Sequence, residues 1–292
     1  MSVRRRYSPT AKLRSEASKL AYAEALAVFE GLEHAAIEPP VSTARVAELL
    51  GIEVKRSEQV AGPGHLVHTR DALGGAFTIM VRADLPQPAF RFVVAHEIGH
   101  AVLLRKHPLL ADRWELTQRE VFANTFACQL LVPPQSRSEF AQRFRDMGHA
   151  RNLLGLASDF GLSPYSMLAF ADTERVCFSG SESIWLRVKN RPNRFTGVDA
   201  RLRVATAHYD RERYYVPTNQ SVRSLCGEDD WLSACEMGGS VSLDRGSITV
   251  SILEKTDHPK YRRSRVAASL SATKLRASKA DGLPQFLVLA RR

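Results

Sequence analysis

The sequence predicts an α+β protein with more than one domain. A chain of 292 residues is longer than a single core of ordinary size. Apolar residues recur at helical spacing through much of the first part of the chain, whereas short strand-like segments dominate from about residue 180 onward. We therefore expect three segments, residues 1–134, residues 135–178 and residues 179–292.

The first segment begins with helices and strands in alternation. Residues 12–36 are rich in Ala, Leu and Glu and predict a helix that ends before two consecutive prolines. Residues 41–54 begin with capping Ser and Thr residues and predict a short helix, which stops at Gly51 and is followed by a strand. Residues 75–83, GAFTIMVRA, have the Phe, Thr, Ile and Val content of a strand.

Two apolar helices complete the first segment. The first, residues 91–105, has the sequence RFVVAHEIGHAVLLR and ends before Pro108. The second, residues 117–134, is stopped by two prolines. Two histidines and a glutamate lie in the middle of the first helix, where burial is costly unless something satisfies these groups.

These three polar residues have the spacing of a catalytic metal site. Residues four apart lie on one face of a helix, so His96 and His100 present two imidazoles to one metal ion. Glu97 lies beside the metal, which gives the H-E-x-x-H arrangement of two ligands and a general base that activates water. We expect Zn²⁺, with Mn²⁺ or Fe²⁺ as alternatives. A hydrogen-bonded core histidine pair is the other interpretation, but it leaves Glu97 without a partner.

A catalytic zinc ion needs a third protein ligand, and we expect it on the following helix. Glu120 lies 20 residues after His100, which leaves room for a turn and an antiparallel helix. Asn124 shares a face with Glu120 and is placed to accept a hydrogen bond from the second nitrogen of a ligand histidine. Glu115 is the rival third ligand, and the alternative for Glu120 is an exposed carboxylate near the helix start.

The motif on these two helices resembles that of the ImmA/IrrE-type metallopeptidases. H-E-I-G-H at 96–100 is followed by E-V-F-A-N-T-F-A-C-Q-L-L-V-P at 120–133, and in that family a glutamate and A-N-x-F-A-x-x-L-L-x-P follow H-E-x-G-H. The glutamate element is also similar to that of the thermolysin-like gluzincins. The resemblance covers residues 90–134, with Val93-Val94 in place of the more usual Thr-Leu. It implies a gluzincin-like zinc peptidase core.

The layout of the whole chain is similar to that of the family's radiation-response regulators. The resemblance implies a helix-turn-helix-like segment at 135–178 and a GAF-like α/β domain at 179–292 that receives a small molecule or another signal. It also implies a protein substrate, a DdrO-like DNA-binding repressor, whose cleavage induces DNA-damage and radiation-response genes. We expect the strand at 75–83 to pair with an extended segment of the substrate.

Residues 153–170 have helix-turn-helix character of their own. Gly161 suits the turn, Ser163 suits the cap and Pro164 suits the first helical position. The second helix offers almost none of the Arg, Asn or Gln side chains that read the major groove, so we expect packing or substrate docking there. The alternative function is a non-enzymatic DNA-binding activator with a structural or sensory metal.

Charge, hydropathy and cysteine content indicate where the protein acts and what it contacts. The net charge of +10 is concentrated at the ends, and such basic ends contact nucleic acid or acidic proteins, or only keep the protein solvated. No apolar run is long enough to span a membrane, and no apolar segment of a secretory signal follows the basic N-terminus. The cysteines form no C-x-x-C pair and predict reduced thiols in a cytoplasmic protein. They are Cys128, Cys177, Cys226 and Cys235.

Overall fold

The computed structural model divides into two compact units. Residues 1–139 and 157–170 belong to the first unit, and residues 140–156 and 171–292 belong to the second. The structure describes residues 9–32, 38–69, 75–146, 150–174, 183–192, 200–208, 214–215, 241–254, 262–275 and 285–291. The boundaries expected near residues 134 and 178 stay predictions.

The described residues up to Leu131 of the first unit contain five helices. They are α1 (Pro9–Gly31), α2 (Thr43–Leu49), α3 (Gln87–Lys106), α4 (Pro108–Arg113) and α5 (Leu116–Leu131). All but the six-residue α4 were predicted from the sequence. On α1, Ala17, Ala21 and Ala25 recur every four residues and are fully buried. This stripe of small side chains suits the close packing of α1 against α5.

Helix α1 is also attached to the end of α3. Glu24 accepts hydrogen bonds of 2.8 Å from Lys106 Nζ and from His107 Nε2. Burial raises the pKa of Glu24, but these two hydrogen bonds outweigh it and hold that pKa below its usual value. The contact ties α1 to the helix that carries the H-E-x-x-H motif.

A three-stranded sheet lies beside α3. Its strands are β1 (Ile52–Ser57), β2 (Gly64–Thr69) and β3 (Ala76–Arg82). The order is β1-β3-β2, with β1 parallel and β2 antiparallel to β3. Alternate residues of β3, namely Phe77, Ile79 and Val81, are buried, because one face of the sheet packs inward.

The position of β3 overturns one expectation from the sequence. The strand at 75–83 was expected to pair with an extended substrate, but β3 is central and both of its edges are taken by β1 and β2. The edge strand that contacts α3 is β2, which the sequence analysis did not predict. The edges of this sheet therefore belong to β1 and β2 and not to β3.

Gly99 sets the distance between α3 and α5. A Cβ atom at this position would lie 3.1 Å from Cα of Ala123 and 3.2 Å from Cβ of Phe126. The missing side chain therefore allows the two helices to approach closely. Glu120 lies one turn before Ala123, so the same approach carries it toward the two histidines of α3.

Three further helices follow, α6 (Arg137–Arg145), α7 (Ala150–Asp159) and α8 (Pro164–Glu174). The turn between α7 and α8 has the predicted features. Gly161 has a φ of +62°, and Ser163 Oγ accepts the backbone N–H of Ser166 at 3.0 Å. Nη1 of Arg91, on α3, donates to the carbonyl of Gly161 at 3.2 Å. This bond attaches the turn to the start of the site helix.

The second unit contains a six-stranded antiparallel sheet in the order β5-β4-β9-β8-β7-β6. The strands are β4 (Ser183–Pro192), β5 (Ala200–His208), β6 (Tyr214–Tyr215), β7 (Val241–Glu254), β8 (Arg262–Leu275) and β9 (Gln285–Arg291). These strands agree with the strand-like character expected from about residue 180 onward, although β8 does not have the sequence of a typical strand. Its interior is rich in Ala and Ser, which are weak indicators of a strand.

Candidate metal centre and active site

Helices α3 and α5 bring three metal-binding side chains together. Nε2 of His96 and Nε2 of His100 are 3.1 Å apart. Oε2 of Glu120 lies 3.5 Å from Nε2 of His96, and Oε1 of Glu120 lies 3.4 Å from Nε2 of His100. The structure therefore places at one point the three residues for which the sequence predicts metal binding.

These separations suit a tetrahedral zinc ion. Zinc–ligand bonds of about 2.0–2.1 Å at tetrahedral angles separate neighbouring ligand atoms by about 3.3–3.4 Å. The observed separations of 3.1, 3.4 and 3.5 Å bracket that value. Two imidazoles and a carboxylate also suit Mn²⁺, so the donor set fits a divalent metal and leaves the fourth position for water.

Burial keeps both histidines neutral in the metal-free protein. Their side chains are 15% and 19% exposed. Burial lowers the pKa of His96 against the opposing effects of Glu120 and Asn124. Burial, the neighbouring His96 and the charge of Arg119 together lower the pKa of His100 to about 4. A neutral imidazole has a lone pair to offer a metal ion, so burial favours the form of both rings that can bind one.

Asn124 fixes the orientation of the first histidine. Its Oδ1 lies 3.2 Å from Nδ1 of His96. A carboxamide oxygen only accepts hydrogen bonds, so Nδ1 carries the proton and Nε2 keeps its lone pair. That nitrogen is the one that faces His100 and Glu120.

Glu97 lies beside the ligand cluster and is 7% exposed. Burial and the nearby charge of Glu120 raise its pKa to about 7, although a hydrogen bond from the backbone N–H of Leu66 opposes them. A carboxyl group with this pKa both accepts and returns a proton near neutral pH. The environment therefore suits a general base.

The rival third ligand has a different role in the structure. Glu115 is the N-cap of α5, where its carboxylate accepts the backbone N–H of Gln118. The side chain of Gln118 accepts the backbone N–H of Glu115 in return, at 2.8 Å. Among the described residues, the cluster that could hold a metal consists of His96, His100 and Glu120.

A cleft of about 520 Å³ opens over the cluster, lined by α3, α5 and β2. Phe92 and Val93 of α3 and Pro63 and Gly64 near the start of β2 are among its lining residues. Sequence reasoning missed all four. The helical period could have indicated Phe92, one turn before His96, whereas the contribution of β2 depends on tertiary contacts.

Several of the described side chains of helix α8 are buried. Met167, Leu168 and Phe170 are at most 1% exposed. A recognition helix needs an exposed face to enter the major groove. This burial agrees with the packing role expected for these three side chains.

Two composition-based expectations have partial structural counterparts. Cys128 is buried, and the other three cysteines lie outside the described residues. In the part of the chain that the structure describes, no helix combines the length and apolarity needed to cross a bilayer.

Comparison with known proteins supports the family suggested by the motif. Residues 47–170 match Peptidase_M78, the IrrE N-terminal-like domain family. No curated protein matches the chain. A solved structure of a Mycobacterium tuberculosis transcriptional regulator is 14% identical, covering 96% of this chain and 87% of that chain, with a TM-score of 0.49. A similarity of that strength carries no argument about this chain.

The family match contains every residue of the candidate site. His96, Glu97 and His100 lie in its middle, and Glu120 and Asn124 lie further along the same segment. The segment that carries the candidate site, residues 47–170, is therefore similar to the IrrE N-terminal-like domains of the ImmA/IrrE type, and this match supports a metallopeptidase fold for the segment.

Proposed function

We propose that this chain is a metal-dependent endopeptidase, with zinc as the metal, that cleaves a helix-turn-helix transcriptional repressor. The observation that carries the proposal is the cluster of His96, His100 and Glu120, with Glu97 beside it in an open cleft. A purely structural metal site needs no buried carboxyl group next to its ligands. A hydrolytic site does, because water must lose a proton as it attacks.

The residues take separate roles in the proposed reaction. His96, His100 and Glu120 would hold the ion, which when bound polarises a carbonyl and lowers the pKa of water. A carboxylate oxygen of Glu97 accepts the proton of the attacking water and returns it to the leaving amine. Asn124 keeps the proton of His96 on Nδ1.

The edge of β2 supports an extended peptide as the substrate. β1 carries Glu53, Lys55 and Arg56, and charged residues of this kind discourage strand pairing at an edge. β2 has the sequence GHLVHT, with no acidic residue, lysine or arginine. A peptide that pairs with β2 satisfies its backbone groups beside the cleft.

The resemblance of the motif to the ImmA/IrrE type supports a DdrO-like repressor as the substrate. Its cleavage in the cytoplasm would induce DNA-damage and radiation-response genes. By the same resemblance, residues 179–292 form a GAF-like domain that receives a small-molecule signal. The described part of this region consists of the strands β4 to β9.

The test is cleavage of the purified repressor by the purified full chain. We expect fragments with Zn²⁺ or Mn²⁺, none with EDTA, and none from a metal-loaded Glu97→Gln variant. An intact repressor in every metal, with one equivalent of metal shown to be bound, would contradict the proposal. Specific promoter binding at physiological salt, unchanged in Glu97→Gln, would instead support the DNA-binding activator.

A further inference from the structure

The stripe of α3 that lines the cleft changes from apolar to polar along the helix. Phe92 and Val93 come first, and the metal-binding residue His96 and the proposed base Glu97 follow one turn later. One turn of an α-helix rises about 5.4 Å. The ring centroids of Phe92 and His96 are 6.3 Å apart, in agreement with that spacing. The two apolar side chains therefore lie directly beside the place where the scissile bond would bind.

Both apolar side chains are only half-buried, unlike their neighbours on the same helix. Val94 and Ala95, which follow them on α3, are fully buried. A Cβ atom built at Gly64 would lie 2.5 Å from Cγ1 of Val93, so this methyl group reaches the start of β2. The apolar end of the cleft therefore lies between α3 and the edge strand.

The backbone of Gly64 is directed at the outer edge of β2. The backbone N–H of Arg82 donates to the carbonyl of Pro63 at 3.1 Å, next to the pair Gly64 and Val81. In an antiparallel ladder this pair exchanges no backbone hydrogen bonds, so the N–H and C=O of Gly64 point away from β3. Opposite residues of paired strands carry their side chains on one face, and at Gly64 this face is directed at Val93. A peptide residue that pairs with Gly64 therefore presents its side chain to α3.

The residues around this place favour an aliphatic side chain. The side chains of Phe92, Val93 and Pro63 carry no polar atom, and Gly64 has no side chain. The side chain of His65, the next residue of β2, projects from the opposite face of the sheet. An aliphatic group gains free energy when it leaves water here. An amide or a charged group would lose its hydrogen bonds to water and find no side-chain partner.

We propose that Phe92 and Val93 form a subsite that selects substrates by an aliphatic side chain next to the scissile bond. This inference rests on the proposed peptidase function and states which kind of residue the cleft accepts beside the cut. Phe92 and Val93 are specificity-determining residues, because they contact the substrate side chain and take no part in the proton transfer.

The first test measures binding and does not depend on cleavage. Nα-acetyl hydroxamates of leucine, asparagine and lysine bind zinc through the hydroxamate group and place one side chain beside it. In calorimetry with the zinc-loaded full chain, we expect the leucine compound to bind at least about tenfold more tightly than either of the other two. Asparagine has nearly the shape of leucine, so this comparison isolates polarity. Equal affinities, or a preference for lysine, would overturn the proposal.

The second test changes the polarity of the subsite without changing its size. Val93→Thr keeps the shape of the side chain and introduces the residue that is more usual in the ImmA/IrrE-type motif. We expect it to reduce the preference for leucine over asparagine by about threefold or more. Val54→Thr is the matched control, because Val54 is also half-buried but is not among the residues that line the cleft. It should keep the wild-type preference, and equal preferences in the two variants would overturn the proposal.

A third test enlarges the subsite. Phe92→Ala removes the ring beside His96 and should shift the preference from the leucine to the tryptophan hydroxamate. A gain in affinity for the larger compound cannot result from a loss of folding. An unchanged order of preference would overturn the role assigned to Phe92.

The repressor itself provides the last test, once its cut is mapped by mass spectrometry. We expect an aliphatic residue beside the cleaved bond, and its replacement by asparagine should lower kcat/KM by about tenfold or more. A cut with polar residues on both sides would overturn the proposal. A leucine preference in the hydroxamate series without repressor cleavage would support the subsite and contradict the proposed substrate. Cleavage without such a preference would do the reverse.

Discussion

The raised pKa of Glu97 predicts that removing its charge stabilises the metal-free protein at high pH. In the folded protein the pKa of this carboxyl is about 7, against an ordinary value of 4.5. The folded state therefore binds more protons than the unfolded state between these values. The stability contributed by Glu97 is fully present below pH 4.5 and is lost as the pH rises through 7. A Glu97→Gln variant has no such titration.

The size of the effect follows from the same shift. A rise from 4.5 to about 7 corresponds to ~3 kcal/mol at full effect. The cleft is open to water on one side, so we reduce this figure to ~2 kcal/mol for solvent screening. We expect the stability advantage of metal-free Glu97→Gln over the wild type to grow by about this amount between pH 5 and pH 8.

Native-state hydrogen exchange of buried α3 amides is a suitable assay, because it reports the first unit without assuming that the whole chain unfolds in one step. Glu58→Gln removes an exposed carboxylate and controls for the loss of one negative charge. An advantage of Glu97→Gln that is constant or decreases with rising pH would refute the reasoning. It would mean that burial and the charge of Glu120 do not disfavour the ionised form of Glu97.

Three further predictions concern the packing and hydrogen bonds around the site. Gly99→Ala should weaken zinc binding by about tenfold or more, because a Cβ 3.1 Å from Cα of Ala123 pushes α5, and Glu120 with it, away from α3. An unchanged Kd in a zinc titration would contradict this. Asn124→Ala should weaken zinc binding by about 10- to 100-fold, since His96 loses the acceptor that fixes its proton, and the same titration measures it. Glu24→Gln should lower the free energy of unfolding by about 1–3 kcal/mol, because it weakens the contact between α1 and the end of α3. It should leave zinc affinity unchanged. Thermal denaturation measures the first effect and a zinc titration the second.

The clustering of His96, His100 and Glu120 was predictable because their arrangement is largely local. His96 and His100 share a helix face by their spacing alone. Glu120 and Asn124 were placed correctly on one helix, one turn apart. Only the antiparallel approach of α5 to α3 had to be assumed, and Gly99, inside the motif itself, is the residue that permits it.

The edge strand was not predictable on the same grounds. The sequence GHLVHT of β2 has two central apolar residues between histidines and follows Gly62 and Pro63, which favour a turn. Its pairing with β3 and its contact with α3 decide its conformation, and these are long-range contacts. The same limit explains why the sequence points to the wrong strand, β3, for substrate pairing, since strand order is not a property of any one segment.

The central claim is that Glu97 acts as a base in a metal-dependent cleavage. The most direct measurement is mass spectrometry of the repressor after incubation with zinc-loaded wild type and with zinc-loaded Glu97→Gln, with the zinc content of both proteins determined. We predict one equivalent of zinc in both proteins and a new repressor N-terminus only with the wild type. Cleavage by the variant at the wild-type rate, or none by the fully zinc-loaded wild type, would contradict the account.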